Sequence, residues 1–316
     1  MNNKEYRPTL AQLRTFVTIA ENKHFGTAAG KLGISQPSLS QALVALEQGL
    51  DVQLIERSTR KVIVTPAGEE LLPYAKATLD AADAFLAHSR GANGTLTGPL
   101  TIGIIPTVAP YILPTLLTSI NEEYPDLEPR IIEDQTKRLV QMLRDGKIDL
   151  AVMAVPAEAS GMTDVALYRE DFAVVVPADH ELADRSDLGL SELDNLDLLL
   201  LDDGHCLHDQ IIDLCRRADL NPTDATNSVT RASSLTTIMQ LVVGGLGATL
   251  VPASALATEC ARPGLATAFF REGVTADRQI GLVFRNSSSR AEEFTLFGKL
   301  ITAAYQAAVQ DPAVVG

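Results

Sequence analysis

The stretch Ser35-Gln36-Pro37-Ser38-Leu39-Ser40-Gln41 decides the fold of the N-terminal third. It predicts a helix start: the Ser35 hydroxyl caps a first-turn N–H, and Pro37 sits where its missing N–H costs nothing. That helix runs over Gln36–Leu50. Upstream, Leu10–Ala20 places Leu10, Leu13, Phe16, Val17 and Ala20 on one face at helical spacing, and Gly26–Leu32 is a short helix closed by Gly33. Downstream, Glu56–Val64 alternates charged and β-branched residues like a two-stranded wing, ending at Pro66. Helix, short helix, turn, helix and wing is an order in which the Gln36–Leu50 helix lies in the major groove of duplex DNA. Its first turn then presents Ser35, Gln36, Pro37, Ser38 and Gln41, with Ser40 nearby. Glutamine pairs bidentately with adenine, and hydroxyls bond base or phosphate. Arg57, Arg60 and Lys61 in the wing would hold phosphates, which position rather than specify. A capped surface helix with no DNA contact has the same composition.

The net charge of −14 over 316 residues at first argues against nucleic acid. Its distribution reverses that: the first 65 residues carry eight Lys/Arg against five Asp/Glu, so the acidic excess belongs to the remainder. With 46% hydrophobic and 21% charged residues the chain is expected to be globular, with two or three domains. The longest apolar run, Leu241–Pro252, is too short and too glycine-rich to span a bilayer. The first residues, Met1-Asn2-Asn3-Lys4-Glu5-Tyr6, lack a signal-peptide core. A cytoplasmic location without membrane contact is expected, and no cofactor or metal is called for.

From Pro66 to about Ser89, Leu72, Ala75, Leu79, Ala82 and Leu86 recur at steps of three and four, a coiled-coil seam that predicts self-association; packing on the parent domain is the alternative. A glycine-rich hinge follows at 90–98. Beyond Pro99, short buried strands are expected at Leu100–Ile105, Leu127–Glu133, Leu150–Ala154, Ala173–Val176, Leu198–Leu201, Ala248–Val251 and Ile280–Phe284. Amphipathic helices such as Thr136–Asp145 lie between several of them. The fold class is therefore α/β behind an all-α-plus-wing head, the α/β part divided into two subdomains with a cleft.

Ala28-Ala29 with Leu32, Ser35-Gln36-Pro37-Ser38-Leu39-Ser40, Leu46-Glu47, Leu54-Ile55-Glu56-Arg57 and Thr65-Pro66-Ala67-Gly68 together resemble the winged helix-turn-helix signature of LysR-type regulators. The resemblance implies a DNA-binding domain over 1–66, a dimerising linker helix over 67–89 and the hinge at 90–98. It also implies a periplasmic-binding-protein-like (type 2) regulatory domain over 99–316, with subdomain I at 99–168 and 269–316 and subdomain II at 169–268. A double-stranded operator and a homotetramer built from dimers are the implied partners.

The chemically dense segment is Gly204-His205-Cys206-Leu207-His208-Asp209-Gln210, followed by Cys215. Leu207–Ala218 has a helical pattern, so Cys206 sits at a helix N-terminus, where free N–H groups favour thiolate over thiol. Nine residues of helix separate Cys206 from Cys215 by about 13 Å and about 900° of rotation, that is, onto opposite faces. A disulfide needs Cα atoms about 4.4–6.8 Å apart. Joining these two therefore requires the segment to unwind. Two inert buried cysteines, or a metal site using His205, Cys206, His208 and Cys215, stay open as alternatives. Cys260 reads as an ordinary thiol.

The same segment resembles the redox motif of the peroxide-sensing LysR-type regulators. Ile105-Pro106-Thr107-Val108-Ala109-Pro110-Tyr111, Gln135-Thr136, Arg231-Ala232-Ser233-Ser234-Leu235 and Arg278-Gln279-Ile280-Gly281-Leu282-Val283 extend the match. The resemblance implies that Cys206 is peroxidatic and Cys215 resolving, and that a thiol reductant resets the pair. Thr107 and Thr136 would bond hydrogen peroxide, and His205, Asp209 and Gln210 would complete the pocket. Asp209 would help protonate the departing hydroxide, and Arg278 would offset negative charge on sulfur. One position departs from the pattern: His208 stands where the family commonly has Arg, removing a fixed cation. A regulator answering a small organic inducer in the cleft is the runner-up reading; a thiol peroxidase, which would leave the DNA-reading head idle, is the third.

Overall fold

The computed structural model describes residues 6–57, 62–89, 96–218 and 231–310, without the side chains of 57, 84, 86–89 and 231. Arg60, Lys61, the Arg57 side chain and most of the 90–98 hinge thus lie outside the described residues. The chain divides into an N-terminal unit and a regulatory unit.

Local capping sets the N-terminal helices. Thr9 and Gln12 form a capping box at the start of α1, Leu10–Asn22. His24 caps α2, Phe25–Leu32, which ends on Gly33 in the left-handed region. The Ser35 side chain accepts from Ser38 N at the start of α3, Gln36–Leu50, with Pro37 in its first turn. Strands β1, Ile55–Arg57, and β2, Val62–Val64, pair antiparallel as the wing. Leu13, Phe16, Ile19, Leu39, Leu43, Leu46 and Leu54 form the core. The buried stripe of α1 is turned slightly from the expected one: Ile19 is buried, whereas Leu10, in the first turn, is exposed.

Helix α4 spans Pro66–Ser89. Its expected seam needs correction, because Ala75 and Leu79 are buried in the head's own core and Leu71 and Leu72 pack against it. Among the described side chains of this helix, the large apolar ones left on the outside are Tyr74 and Phe85, 69% and 73% exposed. The side chain of Leu86 is not among those described.

In the regulatory unit, β3 (Gly98–Ile104), β4 (Leu127–Glu133) and β5 (Leu150–Ala154) are parallel, with β3 central. Helices α5 (Ala109–Glu123) and α6 (Thr136–Arg144) connect them. Strand β6, Met162–Pro177, is far longer than the expected Ala173–Val176. Next come β7 (Leu200–Leu201), α7 (Cys206–Arg217), β8 (Arg231–Ala232) and α8 (Leu235–Val243). The chain continues through β9 (Thr249–Pro252), α9 (Leu256–Glu259), β10 (Leu265–Phe269), β11 (Asp277–Arg285) and α10 (Ala291–Val309). Strand β10 was not expected, and the expected strand at 198–201 shortens to the β7–β8 pair plus a bridge from Leu198 to Ala248.

Strand β6 pairs with β11 over 162–171 and with β9 and β10 over 172–177. Its two halves serve two apolar clusters. One gathers Ile102, Ile104, Ile112, Leu139, Val152, Leu282, Phe294 and Phe297. The other gathers Val174, Leu199, Leu207, Ile211, Cys215, Ile238 and Leu250. Residues at this crossing, on β6 and at the start of β11, sit where both clusters meet. No helix among the described residues is long and apolar enough to cross a membrane.

Candidate redox site and nucleic-acid interface

Cys206 is the first residue of α7, and the N-cap His205 provides no side-chain cap. The turn before it is fixed by Gly204 at φ +100°, a backbone conformation that favours glycine, and a Cβ there would come within 2.7 Å of Gln135 Oε1. The 203–206 turn therefore rests on the 134–136 turn that begins α6. His208 ties the same turn down: its Nδ1 donates to the Leu201 carbonyl at 2.8 Å, and Nε2 lies 3.5 Å from the Asp203 carboxylate. At the position where a fixed cation was expected, the imidazole acts as a brace.

Among the described residues four buried side-chain polar atoms have no hydrogen-bond partner: Thr136 Oγ1, Tyr168 Oη, His205 Nδ1 and Gln210 Oε1. A buried polar atom left unsatisfied costs about 1–3 kcal/mol, and two of the four, on His205 and Gln210, share the start of α7 with Cys206. Thr136 begins α6 yet caps nothing. Burial also holds His205 below its ordinary pKa, so its ring is neutral at pH 7. Gln210 additionally lines an open depression of about 400 Å³ with Asp213, Arg216, Arg217 and Asp277.

Thr107, 2% exposed, follows β3 and is gripped by Arg278: NH1 donates to Thr107 Oγ1 and NH2 to its carbonyl, both at 2.8 Å. Arg278 Nε donates to Glu170 Oε2 at 2.8 Å, and the ion pair closes to 2.7 Å with both side chains fully buried. The Phe172 ring lies 5.9 Å from the guanidinium. Burial opposes the Arg278 charge, but Glu170 first and Cys206 next outweigh it, raising the pKa. Glu170 in turn accepts from Ser254 N and from the Ser254 hydroxyl.

Arg278 thus links Thr107 by hydrogen bond and Cys206 by charge, and His205 and Gln210 lie on the same start of α7 as Cys206. Asp209 is exposed on the first turn of α7. Glu170 and Ser254 escaped sequence reasoning. The available signal was a carboxylate alternating with Tyr168 and Phe172 along one face of β6, all three buried.

Cys215 is fully buried in the cluster with Leu207 and Ile211, whereas Cys206 packs against the other cluster. Burial pushes the Cys215 thiol up. All three cysteines are free. Among the described residues no group of three or more His, Cys, Asp or Glu has metal-site geometry, so His205, Cys206, His208 and Cys215 do not form one.

On α3, Gln36, Pro37, Ser38 and Gln41 are exposed, Ser40 is half-buried, and Leu39, Leu43 and Leu46 face the core. The Ser35 hydroxyl is spent within the helix, 3.2 Å from Ser38 N and 2.8 Å from Ser38 Oγ. Gln36 and Gln41 present the free amides.

Residues 10–69 match the bacterial regulatory helix-turn-helix protein, lysR family, and residues 93–306 match the LysR substrate binding domain. A probable hydrogen peroxide-inducible genes activator of Mycobacterium avium is 48% identical over 310 residues, covering 97% of this chain and 98% of the relative. The Corynebacterium glutamicum OxyR cysteine-to-serine mutant with bound H2O2 is 72% identical, with a TM-score of 0.70 over 97% of this chain and 95% of that one. The oxidised form of the Corynebacterium glutamicum OxyR is matched over the same shares at 70% identity and a TM-score of 0.62. With both domain models in chain order and relatives aligned nearly end to end, the chain belongs to the LysR family of transcriptional regulators, within its OxyR group.

Proposed function

We propose that this protein is a DNA-binding transcriptional regulator switched by hydrogen peroxide through Cys206 and Cys215. The observation that carries the reading is that buried polar atoms on His205 and Gln210, at the helix start that carries Cys206, and on Thr136 have no hydrogen-bond partner. Hydrogen peroxide is small, neutral and able to donate and accept at both oxygens, which suits such a set. Its binding by a related protein supports the same guest here.

In the proposed chemistry the Cys206 thiolate attacks one peroxide oxygen. The S–O bond forms as the O–O bond breaks, and the departing hydroxide takes a proton to become water. Sulfur is oxidised to sulfenic acid and peroxide is reduced. Cys215 then attacks that sulfur, the S–S bond forms, and the sulfenic oxygen leaves as a second water. Because one helix carries both cysteines into different clusters, closure unwinds α7 and removes Cys215 from its core. A dithiol reductant resets the pair. Gln36, Ser38, Ser40 and Gln41 read operator bases while Arg57, Arg60 and Lys61 hold phosphates. Association through α4 into dimers, and of dimers into a tetramer in the cytoplasm, carries the change in α7 to the head. The domain limits are those given by the family pattern: head 1–66, linker 67–89, hinge 90–98 and regulatory domain 99–316.

The test treats the protein with equimolar peroxide and maps disulfides by mass spectrometry after digestion. Operator footprints of wild type and Cys206→Ser are then compared with and without oxidant. A Cys206–Cys215 crosslink with a footprint change absent from Cys206→Ser is expected. A complete crosslink with an unchanged footprint would leave the switch without an output.

A further inference from the structure

Beyond the residues facing Cys206, a second layer decides what the pocket presents. Thr107 Oγ1 accepts from Arg278 NH1 at 2.8 Å. Among the described residues no protein group accepts the hydroxyl's own proton. A hydroxyl carries one proton and accepts readily at its lone pairs, so a charged donor on the oxygen leaves that proton to be given away. The donation is strengthened by the cation behind it. Thr107 is therefore polarised as a donor, and the one group that polarises it is Arg278.

Arg278 holds this pose because its other nitrogens are committed. Nε bonds Glu170, and NH2 bonds both Glu170 and the Thr107 carbonyl, with the two ionic side chains fully buried. Glu170 is seated by Ser254 through backbone N–H and hydroxyl. The chain of contacts runs Ser254, Glu170, Arg278, Thr107. It starts after β9, on the side of the cluster holding Cys215, and ends after β3, on the side of the cluster packed by Cys206.

We infer that Glu170, seated by Ser254, is a positioning residue that acts through Arg278 to fix the Thr107 hydroxyl as a donor toward peroxide at Cys206. The inference rests on the peroxide reading proposed above. Glu170 touches neither sulfur nor peroxide. It sets the orientation of the guanidinium and offsets its charge, so that the pocket offers a directed hydroxyl instead of a loose cation.

The test uses the full chain in a Cys215→Ser background, which stops oxidation at the sulfenic acid. The second-order rate of Cys206 oxidation is read by trapping with a carbon nucleophile such as dimedone. Glu170→Gln and Ser254→Ala are each measured alone and together with Thr107→Val, as a double-mutant cycle. Glu170→Gln is expected to slow oxidation about tenfold or more, the loss of one oriented charge-assisted bond, and Ser254→Ala by less. With Thr107→Val already present, neither adds a further loss. Equal slowing with and without the Thr107 hydroxyl would show a general packing effect and overturn the inference, as would unaltered rates in both variants. If Glu170→Gln fails to fold, because the Arg278 charge is left buried and unpaired, Ser254→Ala decides on the same criteria. Should the Cys215→Ser parent itself resist peroxide, the peroxide reading falls and takes this inference with it.

Discussion

Cys206 and Cys215 share one helix, Cys206–Arg217, yet pack into different apolar clusters. The helix is thus a spacer holding two thiols apart. Helical stability becomes a kinetic barrier to their joining, since the backbone between them must lose its hydrogen bonds first.

That barrier is open to tuning at Asp213, an exposed residue between the cysteines that pairs with the equally exposed Arg216 at 2.9 Å. Asp213→Gly and Asp213→Ala both lose that pair and differ chiefly in helix propensity, by about 1 kcal/mol. If unwinding precedes closure, the glycine variant forms the disulfide from its sulfenic acid about fivefold faster than the alanine variant. Quenched-flow alkylation with mass spectrometry measures both rates. Identical rates would mean that closure does not wait on the helix.

On the DNA side, Ser35 and Gln36 are adjacent but have different tasks. Ser35 caps α3, so Ser35→Ala is expected to cost about 1 kcal/mol of stability in the head. Gln36→Ala or Gln41→Ala removes an exposed amide and leaves the cap intact. Each is expected to weaken operator binding about tenfold to a hundredfold, with non-specific binding unchanged. Fluorescence anisotropy on operator and scrambled duplexes separates the two. A uniform loss on both duplexes would assign these glutamines to phosphate contacts instead.

The head was legible because its information is local. Caps at Ser35, periodic Leu39, Leu43 and Leu46, and the wing alternation all sit within a few residues of what they determine. Strand β6 was only partly legible. Over 162–171 one face is largely solvent, while 172–176 is buried on both faces, and a search for apolar runs finds only the second half. Strand β10, Leu265–Phe269, is built from small and half-buried residues and carries little signal. In the site, Cys206, His205 and Gln210 were readable as one local motif. Glu170 was not, since the partners of this fully buried carboxylate, Arg278 and Ser254, lie 108 and 84 residues away. Asp209, neighbouring in sequence, is exposed.

The wing depends on Glu47, whose Oε1 accepts from Leu54 N at 2.9 Å and Ile55 N at 3.0 Å. Those two N–H groups lie where the chain leaves α3 and enters β1. Glu47→Ala is expected to destabilise the head by about 2 kcal/mol, and Glu47→Gln by about half as much because an acceptor oxygen remains. Urea unfolding followed by helical circular dichroism reads both. Equal midpoints for the alanine and glutamine variants would show that the carboxylate makes no structural contribution through these bonds.

Cys260 offers a pH test independent of peroxide. Burial first, and the neighbouring Glu259 charge second, push its thiol up to about 12. In the unfolded chain the thiol ionises near its ordinary value of about 8.5. A folded pKa raised above the unfolded one gives stability that is complete below about pH 8.5 and is lost as pH climbs toward 12, because only the unfolded state releases the proton in that window. Tyr305, also held up to about 12 by burial, joins this loss only above about pH 10, where free tyrosine ionises. Between about pH 8.5 and 10 the urea midpoint of Cys260→Ala is therefore expected to fall less steeply than that of the wild type, even though the alanine lowers both ends by removing buried sulfur. Parallel profiles across that interval would mean that Cys260 ionises equally readily in the folded and unfolded chains.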